Sequence, residues 1–130
     1  MNKLEILSAF NVHFLDFLQD IERVFPNDVD IKTAINFLQT VKKTNPRLII
    51  IFFKQHINDL YGEYIHKNDL TYFLNKKYDN DIIGDSTKDI LNKIDQLREP
   101  IRKMDSKNKQ HILQYMQDLC KLSVLYNSLQ

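Results

Sequence analysis

Glycine occurs twice and proline three times in 130 residues. That is too little punctuation for a sandwich or small barrel, which needs a turn roughly every eight to twelve residues, and an all-β architecture is disfavoured. Neither Gly62 nor Gly84 has a second glycine at the spacing of a P-loop or dinucleotide fingerprint, so a glycine-rich phosphate cradle is absent. Cys120 is the only cysteine. It allows no intramolecular disulfide and no thiolate zinc site within one chain, and a reducing compartment is expected. An excess of one charge is missing too: 18 basic and 17 acidic side chains leave a net +1, and no whole-molecule field draws in a polyanion.

Long apolar runs are also lacking. The longest, Leu48 to Phe53, is too short to span a bilayer. Glu5, Asp16, Asp20 and Glu22 do not fit a secretory h-region or an arginine-rich transit peptide. The expectation is a soluble, intracellular chain in the cytoplasm, with no membrane partner. Hydrophobic residues make up 43% and charged residues 27%, as in an ordinary globule, so residues 1–130 should form one domain. The sequence contains no internal repeat and no low-complexity tract.

What remains is helical periodicity. Leu7, Phe10, Phe14, Phe17, Ile21 and Val24 alternate at three and four, which lays one stripe along a helix from about Lys3 to Phe25, stopped by Pro26. Leu15, Leu18 and Phe25 widen the stripe. Asp28 or Asp30 should cap a second helix with Ile31, Ala34, Ile35, Leu38 and Val41 inward and Lys42 and Lys43 in its last turn, which suits the helix dipole. Asn45 is expected to cap a third helix with Pro46 at its first position. The hexapeptide from Leu48 to Phe53 also reads as a buried strand. Helix is preferred because Ile49, Phe53, Ile57, Leu60, Tyr61 and Tyr64 continue one face and no partner strand is in evidence. A helix apolar on nearly all sides should run through the centre.

Asp69 should cap a short helix through Leu70, Tyr72, Phe73 and Leu74, followed by a loop from Lys76 to Asp81. Ser86, Thr87, Lys88 and Asp89 have the form of a capping box. They would open a helix with Ile90, Ile94, Leu97, Ile101 and Met104 inward, kinked or divided at Pro100. A last helix from Asp105 or Ser106 turns Ile112, Leu113, Met116, Leu119, Cys120 and Tyr126 inward. The fold class expected is all-α, a single-domain bundle of five or six helices around a central apolar one.

The chemistry is thin. His13, His56, His66 and His111 form no HExxH and no i, i+4 pair with a second histidine or an inward carboxylate, so no metal site is assigned. His111 and Tyr115 lie one turn apart and read as a surface contact. Cys120, between Leu119 and Leu122, reads as a buried, inert thiol. Asp79, Asn80, Asp81 and Gly84 have the start of an EF-hand loop, but Ile83 and Ile90 stand at the fifth and twelfth positions, where ligands are required. A solvated turn is the plainer reading. No catalytic residue and no cofactor is assigned. A helix-turn-helix over Thr40 to Leu48 fails because the second helix would offer hydrocarbon to base edges.

Charge is unevenly distributed: residues 1–41 sum to −3, 42–56 to +4, 57–97 to −3 and 98–130 to +3. Lys42, Lys43, Arg47 and Lys54 with Arg98, Arg102, Lys103, Lys107 and Lys109 are therefore candidate phosphate contacts, if the two blocks converge. Tyr61, Tyr64, Tyr72 and Tyr78 would then be available to stack on bases.

Several stretches carry a likeness to known proteins: Phe10 to Phe14 and on through Phe25, Pro26, Asn27 and Asp28; Asn45 to Ile50; Phe73 to Tyr78; and Leu97 to Ile101. Through them the chain resembles a group of small proteins encoded by nucleocytoplasmic large DNA viruses of algae and protists. The resemblance implies a virus with a cytoplasmic phase, in keeping with the lone cysteine and a residue usage typical of AT-rich genomes. It carries no functional residues.

The expected role is non-enzymatic: an interaction or adaptor module, as a virion or replication-factory accessory protein, with a protein partner or a second copy of itself. The motive is the aromatic supply of the first helix, where Phe10, Phe14, Phe17 and Phe25 with Leu4, Leu15 and Leu18 exceed what a small core should cover. Nonspecific nucleic-acid binding through the basic blocks is the alternative.

Overall fold

The computed structural model describes residues 2–75 and 85–129, with 85–87 by backbone alone. Every regular element among them is helical: α1 Lys3–Val24, α2 Val29–Thr44, α3 Leu48–Phe53, a π-helical turn Lys54–Asn58, α4 Asp59–His66, α5 Thr71–Asn75, α6 Asp85–Arg102 and α7 Ser106–Ser128. Because α3, the π turn and α4 follow without a break, the architecture is an all-α bundle of six helical rods, with no strand among the described residues. The loop expected from Lys76 to Asp81 and the calcium-like turn ending at Gly84 lie outside them.

Side chains fix most helix starts. Asn2 and Glu5 form a reciprocal capping box at α1: the Glu5 N–H donates to Asn2 Oδ1 at 2.9 Å and the Asn2 N–H donates to Glu5 Oε1 at 3.1 Å, satisfying two otherwise orphaned donors. Asp28 accepts from the Ile31 N–H at 3.1 Å, Asp69 from Thr71 at 2.9 Å and Asp105 from Asn108 at 2.8 Å. Asn68, in the left-handed region at φ 65°, ends α4, a conformation that asparagine tolerates better than most residues.

Three boundaries differ from the pattern read along the chain. Asn45 closes α2, its backbone N–H donating to the Val41 carbonyl at 2.8 Å, and Pro46 and Arg47 form a turn before α3. α6 already begins at Asp85, so Ser86 and Thr87 lie inside the helix and not ahead of it. Pro100 neither divides nor ends α6, which runs on to Arg102. It stands in the last turn, where only the final hydrogen bonds of the ladder are at stake.

α1 and α7 are the two long walls and share the most extensive contact. They run antiparallel, since the Lys3 ammonium lies 4.6 Å from the Tyr126 ring centre, the His13 and Tyr115 rings are 5.0 Å apart, and Arg23 donates to Asn108 at 3.2 Å. α3 packs on α1, α2 and α7, and α2 packs along α6. Phe10 stacks on Phe14 with ring centres 6.0 Å apart and meets the Phe53 edge at 5.6 Å. Each such buried ring contributes about 1.5–3 kcal/mol. Between α1 and the start of α3, the Asn11 amide donates to the Pro46 carbonyl at 3.0 Å.

The π turn re-aims the central rod. From Phe53 the buried positions advance by four each time, to Ile57, Tyr61 and Ile65. Strict α geometry carries residues four apart progressively round the axis, and a turn with i→i+5 bonding takes up that drift. The inward face consequently holds Gly62 and Ile65, while Leu60 is 52% and Tyr64 38% exposed, against the expectation that both face inward. Ile49, Ile50, Phe52 and Phe53 are buried, but Ile51 is 43% exposed, so the rod is central without being enclosed all round.

Candidate functional site

The candidate site is a groove of about 760 Å³ between α1 and α7, within the usual range of about 300–1,000 Å³ for ligand pockets. α1 supplies His13, Asp20 and Arg23, which lie on the rim of its apolar stripe. Lys107, Asn108, His111, Gln114, Tyr115 and Asp118 come from α7, where His111, Tyr115 and Asp118 share a face at i, i+4 and i+7. Antiparallel pairing brings the two polar rims together.

The groove has a cationic end and a central acceptor. Arg23 pairs with Asp20, its Nε donating to Oδ1 at 3.1 Å and Nη2 lying 3.0 Å from the same oxygen, while Nη2 also donates to Asn108 Oδ1. All of this uses one carboxylate oxygen. Asp20 Oδ2 is buried and accepts no hydrogen bond. Lys107 lines the same groove.

The other end pairs His13 Nε2 with Asp118 Oδ2 at 3.3 Å, a distance that gains from charge only when the imidazole is protonated. The alignment is not that of a hydrogen bond, and His13 Nε2 is buried without one. Tyr115 leans on the His13 ring and meets Phe17 edge-on at 6.0 Å. Its phenol is pushed above the ordinary range by burial first and then by the Asp20 and Asp16 carboxylates, with Arg23 opposing. Tyr115 is thus a protonated O–H group at neutral pH. The groove offers carboxylate acceptors, guanidinium, ammonium and phenol donors, and two imidazoles; no serine, threonine or cysteine among the described residues lines it. No group of three His, Cys, Asp or Glu among the described residues is placed to hold a metal ion.

The sequence flagged none of this as one site. His111 and Tyr115 were legible as neighbours on one helix. Their partners His13, Asp20 and Asp118 become partners only through the antiparallel docking of α1 on α7, and the one available signal was the polar border flanking each apolar stripe.

The two blocks of candidate phosphate contacts do not converge, although Arg47 and Lys54 of the first block line one cavity. Asp28 and Asp30, at the start of α2, share a cleft with Gln96, Glu99 and Lys103, at the end of α6, so α2 and α6 run antiparallel. Lys42 and Lys43 close the far end of α2, roughly 20 Å from the α6 terminus that carries Arg98, Arg102 and Lys103. Arg98 leaves the set altogether. It is 2% exposed, donates to Asp95 and holds its guanidinium carbon 4.5 Å from the Phe73 ring centre. Arg102 pairs with Glu99 at 2.7 Å and Lys54 with Asp59 at 2.6 Å. Lys107 lines the groove, Lys109 a separate cleft beside Asp69, and Arg47 a pocket at the opposite end.

The tyrosines fare similarly. Tyr61 is buried against the Phe73 edge at 5.7 Å, whereas Tyr64 and Tyr72 are exposed but stacked on each other at 4.1 Å. Tyr78 lies outside the described residues. The expected aromatic surplus of α1 is absent: Phe10, Phe14, Phe17 and Leu18 are buried, Leu15 and Phe25 half-buried, and only Leu4 stands in solvent. Packing against α3 and α7 consumes the rings. Cys120 is fully buried, and burial pushes its thiol up to about 12, so it carries almost no thiolate at neutral pH. Ile49, Ile50, Phe52 and Phe53 are buried and the open face of α3 presents Ile51, a hydrocarbon with nothing to offer a base edge.

No family model, curated protein or solved structure matches the chain. No helix among the described residues is long and apolar enough to cross a membrane.

Proposed function

We propose that this protein is a non-enzymatic helical interaction module that takes a hydrogen-bonding partner segment into the groove between α1 and α7. In the setting implied by the resemblance noted above, it would serve as an accessory protein of a DNA virus with a cytoplasmic phase. The observation that carries the proposal is the groove atom Asp20 Oδ2, which is withdrawn from water without a hydrogen bond. A buried acceptor left unmatched costs about 1–3 kcal/mol, which an incoming N–H or ammonium donor recovers. Lys107, with no carboxylate partner among the described residues, favours an acidic group at its end. Two observations favour this reading over nonspecific nucleic-acid binding: the separation of the basic blocks and the burial of Arg98.

A photo-crosslinking residue at Gln114, in the groove, should form an adduct with the partner in cells, while one at exposed Gln55 should not. Asp20→Ala should weaken the captured complex by about tenfold, the equivalent of one lost buried hydrogen bond to a charged group. Equal labelling from both positions, or an Asp20→Ala complex as tight as wild type, overturns the proposal.

A further inference from the structure

At the far end of the α1–α7 pair lies a second, smaller cavity of about 290 Å³. Arg47 and Lys54, seven residues apart on one face of the central rod, reach it from one side, with Ile51 between them. Lys3 reaches it from α1, and Asn127 closes it from α7. Three cations from two stretches of chain converge there, and no acidic residue among the described residues lines the cavity.

Their charges are unequally spent. Lys54 is neutralised by Asp59, 2.6 Å away. The Lys3 ammonium rests 4.6 Å from the Tyr126 ring centre, a contact that positions it without removing its charge. Arg47 is exposed and has no carboxylate partner among the described residues. Two uncompensated positive charges therefore line one cavity, a local field that favours an anion.

We infer that this cavity binds a phosphate monoester. The phosphoryl group carries about −1.5 to −2 at neutral pH, matching the charge of Lys3 and Arg47, and the guanidinium fork accepts two of its oxygens side by side. The volume stands at the small end of ligand sites. It admits a phosphoryl group with a few further atoms laid against Ile51, and excludes a duplex. The site is independent of the α1–α7 groove and stands or falls apart from it.

The test is a titration of the intact chain with inorganic phosphate and, separately, glycerol 3-phosphate, followed by amide chemical shifts at constant ionic strength. Saturable shifts should appear at Lys3, Arg47 and Asn127 and be absent at Thr33, which lines neither cavity. Arg47→Ala and Lys3→Ala should each weaken binding about tenfold, Arg47→Lys less, while Lys32→Ala, at an exposed position lining neither cavity, binds as wild type does. Linear shifts reproduced by chloride, or an Arg47→Ala affinity within twofold of wild type, overturn the inference. Glycerol 3-phosphate binding at least as tightly as inorganic phosphate supports a monoester ligand, and its exclusion while inorganic phosphate binds refutes that assignment.

Discussion

Replacing Arg98 with alanine should destabilise the fold by about 3 kcal/mol, although an arginine in a basic run reads as a surface residue. Three losses combine. Two methylenes of the buried stem beyond Cβ are worth about 0.8 kcal/mol each. The cation–π contact with Phe73 is worth roughly 1–2 kcal/mol when desolvated. The ion pair with Asp95, whose side chain is 31% exposed, adds at most about 1 kcal/mol. Relief of the desolvation cost of the buried charge returns part of this, hence the intermediate figure. Arg98→Met keeps a comparable stem and should lose only about 1 kcal/mol. Arg102→Ala removes an exposed pair with Glu99 and should stay within about 0.5 kcal/mol of wild type. Urea unfolding at constant pH gives all three values, with the midpoint moving and the slope preserved. If Arg98→Ala and Arg102→Ala prove equally mild, the guanidinium is solvated and the buried site described above is wrong.

Two further outcomes test the central rod. Alanine at Gly62 gains about 1 kcal/mol of helix propensity, but its Cβ would stand 2.7 Å from Asn58 Oδ1, so Gly62→Ala alone should change stability little. In an Asn58→Ala background the same substitution should stabilise by about 1 kcal/mol, a coupling that a double-mutant cycle of thermal unfolding measures directly. His56, against Phe52 with ring centres 4.9 Å apart, is held below its ordinary value by burial. The unfolded chain therefore binds the proton more readily. The stability that neutral His56 contributes is present above about pH 6.5 and is lost as pH falls from there through the lowered folded value. His56→Gln should flatten that part of a stability-against-pH curve, and an unchanged slope would show that His56 is not the group responsible.

Local rules made much of this fold legible. The stripe from Leu7 to Val24 predicts α1 to within a residue at each end, and Asp28, Asp69 and Asp105 cap the elements they precede, because capping depends only on neighbours along the chain. The Asn2 and Glu5 box was equally readable and lay in plain view. The hexapeptide at Leu48 resolves as helix because alternative pairing partners are missing, an argument from the whole chain. What periodicity could not reveal were features set by docking. The π turn shifts Leu60 and Tyr64 outward. Arg98 is drawn inward because Phe73 on α5 presents a ring face to it. His13 meets Asp118 across more than a hundred residues of sequence, and no spacing rule reaches that far. The aromatic surplus attributed to α1 was an error of bookkeeping, since one amphipathic helix buried by two neighbours at once can spend a wider stripe than a single partner would cover.

The pairing of α1 with α7 also constrains how the molecule is made. Synthesis releases α1 first, its phenylalanines ready to pack, yet the helix that covers its longest side is the last of the described elements to appear. Until Ser106–Ser128 has emerged, those rings have only α2 and α3 for shelter, and closing so distant a contact carries a larger loop entropy than any neighbouring pair. Between the emergence of α1 and that of α7 the nascent chain should therefore expose a sticky amphipathic helix, making it a client for holdase chaperones and prone to aggregation if translation stalls in that interval.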